Sequence, residues 1–80
     1  MLHRTLRRRG AVLPRVRLNI LGNGVREVEV AEGARVADVL REAGLLSTEY
    51  VVVKGGRVVA EDEPVADGDE LILYPVVSGG

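Results

Sequence analysis

The last two residues, Gly79 and Gly80, place an α-carboxyl group at the end of a short stretch without side chains. Glycine backbone is thin and conformationally free, so this end can enter a narrow active site that a bulkier residue would block. Glycine is 10 of 80 residues, so a closing pair would arise by chance in about 2% of cases. The Gly80 carboxylate is therefore the first candidate for chemistry, provided that a domain positions it.

A free α-carboxylate is ionised at neutral pH and is a poor electrophile. It would have to be converted into a mixed anhydride, such as an acyl-adenylate, before a nucleophile could attack its carbonyl carbon. The Gly80 carboxylate is therefore unreactive until it has been activated.

Other residue types offer little chemistry. The absence of Cys excludes disulfides and thiolate metal sites. His3 has no ligand partners near it in sequence, and the acidic residues 67–70 lack calcium-loop spacing, so no metal site is expected. Gly55-Gly56 is not followed by the Lys-Ser/Thr of a phosphate loop. One His leaves no credible Ser/His/Asp triad, and we expect neither an enzyme nor a bound cofactor.

Charge divides the chain into two parts. Residues 1–15 carry five arginines and no acid, whereas residues 16–80 carry six basic and twelve acidic side chains. We expect residues 1–15 to be a basic flexible leader, or the product of a start site assigned too far upstream. Arginines can hold a phosphate backbone, but the leader has no aromatic residue for stacking, so nucleic-acid binding is not expected. No apolar run could span a membrane and no secretory signal is apparent, so a cytoplasmic location is expected.

The first elements must form a hairpin followed by a helix. Val16, Leu18 and Ile20 alternate with polar residues, which is typical of a strand. Gly22-Asn23-Gly24 predicts a turn, and the return strand is expected from about Val25 to Val30. The next segment has apolar residues at i, i+3, i+4 and i+7 and predicts a helix of roughly ten residues that Gly44 ends; they are Val36, Val39, Leu40 and Ala43.

Three strands should follow the helix. They are expected at Tyr50–Val53, at Val58–Val59 after the turn 54–57, and at Glu70–Pro75 after an acidic turn region. The order β-β-α-β-β-β predicts an α+β fold, a mixed sheet with one helix on one face. Residues 16–75 are taken as the domain and residues 76–80 as a flexible tail.

Two of these strands are apolar on both faces, although such a sheet needs only one apolar face. Either Tyr50 and Val52 or Val51 and Val53, together with Ile72 and Tyr74, are therefore expected to form an exposed patch for a partner. The alternative is that the leader or a second copy of the chain covers the patch.

Three segments together resemble the β-grasp sulfur carriers of the MoaD and ThiS group and the small archaeal ubiquitin-like modifiers. Residues 33–40 (GARVADVL) resemble the family's G-x-T-V-x-D-L-L, and residues 61–71 (EDEPVADGDEL) resemble x-x-L-x-D-G-D-E-V. Residues 75–80 (PVVSGG) resemble a terminal P-x-x-x-G-G. The match spans residues 16–80, and the leader has no counterpart.

The resemblance implies a β-grasp (ubiquitin-like) fold and the function of a sulfur carrier, on which other enzymes act. An E1-like adenylyltransferase (MoeB/ThiF-like) would adenylate Gly80 with ATP and Mg²⁺. The adenylate would become a thiocarboxylate for molybdopterin or tungstopterin, thiamine or tRNA thiolation, with a sulfur-acceptor synthase or tRNA thiolase as the next partner. The alternative is a ubiquitin-like protein modifier that is conjugated to protein lysines. Apart from Gly80, the residues expected to bind the activating enzyme are Gly79, Ser78, Val77, Val76, Pro75, Ile72 and Tyr74.

Overall fold

The structure, a computed structural model, describes residues 13–76 and contains a five-stranded sheet with one α-helix. The strands are β1 (Arg15–Ile20), β2 (Gly24–Glu29), β3 (Tyr50–Lys54), β4 (Arg57–Val59) and β5 (Glu70–Pro75), and the helix α1 is Val36–Glu42. The predicted element order is confirmed. A short 3₁₀ helix, Ser47–Glu49, was not predicted.

The sheet is mixed, with strand order β2-β1-β5-β3-β4. β1 and β5 pair in parallel at the centre, and the other pairs are antiparallel. Because β5 is central, it is hydrogen-bonded on both sides, and the chain leaves the sheet from its best-supported strand. The confirmed fold is α+β of the β-grasp type.

The core lies between α1 and one face of the sheet. Val16, Leu18, Leu71 and Leu73 are fully buried where the two central strands run side by side. From the helix, Val36, Val39 and Leu40 pack onto them with almost no exposed area. The period of two in the strands and of 3.6 in the helix therefore selects the buried residues, as the sequence predicted.

The helix has seven residues, shorter than the predicted ten, because both of its ends are defined by other segments. Ala43 is the C-cap and Gly44 follows with φ of +76°. At the other end, the N–H groups of Val36 and Ala37 donate to the carbonyl oxygens of Glu63 and Glu61, both at 2.9 Å. The acidic turn region 61–69 thus supplies the helix with its N-terminal hydrogen-bond acceptors.

The domain boundaries differ by one residue at each end from those predicted. Arg15 was placed in the leader but begins β1, where its N–H donates to Asp67 Oδ1 at 2.9 Å. Val76 was placed in the tail, yet its N–H donates to the Glu49 carbonyl at 2.9 Å. Residues 1–12 and 77–80, and the predictions made for them, lie outside the described residues.

Candidate functional site: the open sheet face and the tail exit

The open face of the sheet, the one away from α1, carries an apolar stripe. Register places Ile72 of β5 between Asn19 of β1 and Val53 of β3. It then extends the row to Val25 of β2 and to Val58 of β4. The row thus crosses all five strands, with Asn19 as its one polar member.

A second pair lies on the same face, nearer the tail. Tyr74 of β5 is opposite Val51 of β3. Together with the row they form what we call the apolar stripe, whose members are Val25, Val51, Val53, Val58, Ile72 and Tyr74. Ile72 and Val53 are half-buried, whereas Val58 is 69% exposed and Tyr74 is 42% exposed.

The structure decides between the two alternatives for β3. Val52 is buried against the core and Tyr50 packs at its edge, so Val51 and Val53 are the residues on the open face. Ile72 and Tyr74 also lie there, as expected. The prediction of surplus apolar surface is confirmed, and the stripe is exposed in the described chain.

Charged residues bound the stripe on the side away from the tail. Arg15 lies within ion-pair distance of Glu27 and Glu29, at 3.9 and 3.4 Å. Arg17 is opposite both Glu27 and Glu70 in the register. Apolar residues rimmed by charged ones are the usual composition of a protein-binding surface.

The tail leaves the sheet next to the 3₁₀ helix. Tyr50 pairs with Pro75, and the Val76 N–H is held by the Glu49 carbonyl. Thr48, Glu49, Tyr50, Pro75 and Val76 line a shallow depression at this point. Val76 is 50% exposed, so it is not part of the core. Its hydrogen bond to Glu49 nevertheless ties it to the domain.

The exit position limits how far the terminal group can reach. Four residues, 77–80, follow Val76, and four residues of extended chain span at most about 14 Å. The four residues after Val76 can therefore reach no farther than about 14 Å from the exit, which lies beside Tyr74 and Pro75. Val77, Ser78, Gly79 and Gly80 themselves lie outside the described residues.

The acidic segment before β5 has a structural role, as the sequence indicated. Asp67 accepts the Arg15 N–H, and Asp69 accepts the N–H of Ala66 at 2.8 Å. Asp69 also faces Lys54, whose Nζ is 3.6 Å away. Among residues 13–76, no group of three or more His, Cys, Asp or Glu side chains is arranged to hold a metal ion.

Sequence reasoning missed two charged contacts. Arg26 of β2 lies on the helix side of the sheet and donates from its guanidinium to the Ala43 carbonyl at 2.6 Å. Lys54, which the sequence placed in the turn 54–57, instead ends β3, and its side chain is only 24% exposed. The alternation of β3 could have indicated this burial, because it places Lys54 on the same face as Val52.

No helix within residues 13–76 is long and apolar enough to cross a membrane.

Comparisons with known proteins agree with this arrangement. Residues 14–73 match the sequence model of the family described as small archaeal modifier protein 2. The crystal structure of small archaeal modifier protein 1 from Haloferax volcanii is 26% identical, with a TM-score of 0.66, over 82% of this chain and 99% of that one. The ubiquitin of Caldiarchaeum subterraneum is 25% identical, with a TM-score of 0.64, over 86% and 100%. The chain belongs to the small archaeal modifier protein 2 family and has the ubiquitin-like β-grasp fold.

Proposed function

We propose that the protein is a carrier and a substrate of an E1-like adenylyltransferase, which activates the Gly80 carboxylate with ATP and Mg²⁺. The observation that carries the proposal is the position of the apolar stripe. Ile72 and Tyr74 lie on β5, the strand that leads into the tail. A partner that covers the stripe therefore also meets the tail exit, within about 14 Å of the reactive group.

The protein contributes binding and positioning to this reaction. The stripe supplies apolar area for docking, and Pro75 and Val76 hold the start of the tail against the sheet. The carboxylate oxygen of Gly80 attacks the α-phosphate of ATP, pyrophosphate leaves, and an acyl-adenylate forms. The partner enzyme supplies the nucleotide site and the metal ion.

The first destination that we propose for the activated group is sulfur transfer. A sulfur donor would displace AMP and leave a terminal thiocarboxylate, which a sulfur-acceptor synthase for molybdopterin, tungstopterin or thiamine, or a tRNA thiolase, would consume. The sulfur of a thiocarboxylate is soft and nucleophilic, and the chain has no Cys thiol to compete with it.

The second destination is conjugation to protein lysines, which the family description as a modifier protein favours. Here a lysine amine attacks the same acyl-adenylate carbonyl, AMP leaves, and an isopeptide bond forms. Both destinations need the same adenylate, so one protein can serve both.

Incubation with the E1-like enzyme of the same genome, ATP and Mg²⁺ tests the shared step. Pyrophosphate release that depends on this protein is expected, and its absence would overturn the proposal. Adding a sulfur donor and measuring intact mass then detects the exchange of one oxygen for sulfur. Gly-Gly remnants on lysines of other proteins in digests would instead support conjugation.

A further inference from the structure

Lys54 is the only lysine among the 80 residues, and hence the only side-chain amine. It ends β3 on the core side of the sheet, opposite Leu71 of β5 and Arg57 of β4. A lysine that lies on the buried face of a sheet must find acceptors for its charge.

Three oxygen atoms surround the Lys54 ammonium. Nζ donates to Glu63 Oε2 at 3.2 Å and to the Pro64 carbonyl at 2.9 Å, and it lies 3.6 Å from Asp69 Oδ2. The three side chains are each about a quarter exposed, at 24, 28 and 27%. An ammonium has three donors, and here each of them faces an acceptor.

The contacts of Lys54 join parts of the fold that are distant in sequence. Glu63 also offers its carbonyl to the helix through Val36 N–H, and Pro64 bridges to Arg35. Asp69 leads into β5 and closes the turn at Ala66. Lys54 thus links the β3–β4 hairpin to the segment that caps α1 and starts β5.

We propose that Lys54 is a structural pin and is not a site of conjugation, so that this modifier cannot build lysine-linked chains of itself. The proposal rests on the function proposed above. Isopeptide formation would require the Lys54 nitrogen to attack the Gly80 acyl-adenylate of a second copy, with loss of AMP and of an amine proton to solvent. The product amide is uncharged and has one N–H, so Glu63 and Asp69 would lose their cation.

The test compares Lys54 with an exposed lysine in the same turn. Arg57 is exposed and two glycines away, so the double variant Lys54→Arg/Arg57→Lys keeps the charge and moves the single amine into solvent. Folded wild-type protein and this variant are treated with limiting acetyl N-hydroxysuccinimide ester, and acetylation of each lysine is followed by peptide mass spectrometry. We expect Lys54 to react about tenfold more slowly, as one charge-assisted hydrogen bond must break. In concentrated urea the two rates should become similar.

Equal rates in the folded proteins would overturn the proposal. A stability comparison provides an independent readout: Lys54→Met should lower the Tm clearly, whereas Lys54→Arg, which keeps the cation, should lower it less. If Lys54→Met melts like the wild type, Lys54 is not a pin.

Self-conjugation completes the test. With the activating enzyme and ATP present, we expect pyrophosphate release but no dimer linked through Lys54, whereas the Arg57→Lys variant should form one. A Lys54-linked dimer of the wild type would overturn the proposal. Without pyrophosphate release the proposed function fails, but the acetylation rates still decide the role of Lys54.

Discussion

Single residues divide here into those proposed to take part in a reaction and those whose contacts stabilise the fold. Gly79 and Gly80 are proposed to present a carboxylate without side-chain hindrance. Lys54 and Arg26 instead have partners in separate segments, and Asp38 accepts the Arg35 N–H at the start of α1. Substitutions in the first group should change reactivity, and substitutions in the second should change stability.

Gly79→Val places a β-branched side chain one residue from the carboxylate that must enter the nucleotide site. We expect pyrophosphate release with the activating enzyme to be abolished while the Tm is unchanged. Deletion of Gly80 should have the same effect. A loss of folding cooperativity in either variant would show that the tail is structural and would contradict the proposal.

Asp38 provides a pH-dependent contribution to stability. Its pKa is lowered from 3.8 chiefly because the Arg35 N–H donates to the carboxylate, at 2.9 Å, and next because Arg41 donates to it from the following turn. A lowered folded-state pKa means that the contribution is complete above the unfolded value of 3.8 and is lost as the pH falls through the folded value.

We therefore expect Asp38→Asn to lower the Tm at neutral pH and the difference from wild type to shrink as the pH falls below about 4. Glu42→Gln, on the exposed side of the same helix, is the matched control and should show no such convergence. A difference for Asp38→Asn that is constant with pH would show that shape, and not charge, is responsible.

At the scale of elements, α1 is short because its ends are fixed from outside. Its first N–H groups bond to the 61–63 segment, and its last carbonyl is held by Arg26. Gly44, which follows the C-cap, has φ of +76° and open space around its Cα. The cost of replacing it is therefore one of backbone conformation and not of steric contact.

Gly44→Ala should destabilise the domain by about 1 kcal/mol, which is the left-handed penalty less the gain from a stiffer unfolded chain. Urea denaturation monitored by circular dichroism measures it. Ala43→Gly, next to it in ordinary helical conformation, is a useful comparison, because its loss comes from a more flexible unfolded chain and from removal of the Cβ that packs against the core. Stability of Gly44→Ala equal to that of wild type would mean that the chain relaxes out of the left-handed region.

At the scale of the whole molecule, the two faces of β5 have different tasks. Leu71 and Leu73 are fully buried in the core, whereas Ile72 and Tyr74 face outward beside the tail exit. Alternate residues of one strand therefore separate stability from recognition.

Tyr74→Glu should weaken activation by raising the KM for this protein with little change in kcat, because docking area is lost and the tail is unaltered. Leu46→Glu is the control, at an apolar position that is also exposed but lies away from the sheet face. Leu73→Ala should instead cost about 2–5 kcal/mol of stability. Unchanged KM for Tyr74→Glu would remove the stripe from the docking surface.

The oligomeric state of the wild-type protein tests whether a second copy of the chain covers the stripe. Sedimentation at increasing concentration should show a monomer, since the stripe is expected to serve a partner. A dimer that Tyr74→Glu dissociates would show that a second copy occupies the stripe.

Sequence periodicity was sufficient for the order of elements, the buried face of β1 and the helix stop at Gly44, because each depends on local chain geometry. The resemblance of residues 61–80 to a known family suggested the reaction proposed at Gly80, because such motifs consist of consecutive residues. The choice between Val51 and Val52 as the open face of β3 depended on pairing with β5, a partner about twenty residues later.

Only the tertiary structure decided the contacts of Lys54 and of Val76, the first residue of the predicted tail. Lys54 meets Glu63 and Asp69, and Val76 meets Glu49, through folding of segments that are 9 to 27 residues apart. The sequence by itself predicted which group reacts, the Gly80 carboxylate, because that prediction depends on the residues beside it. Which surface lies beside the tail exit depended on sheet register, since register brings Val25, Val58 and Ile72 from three separate strands into one row.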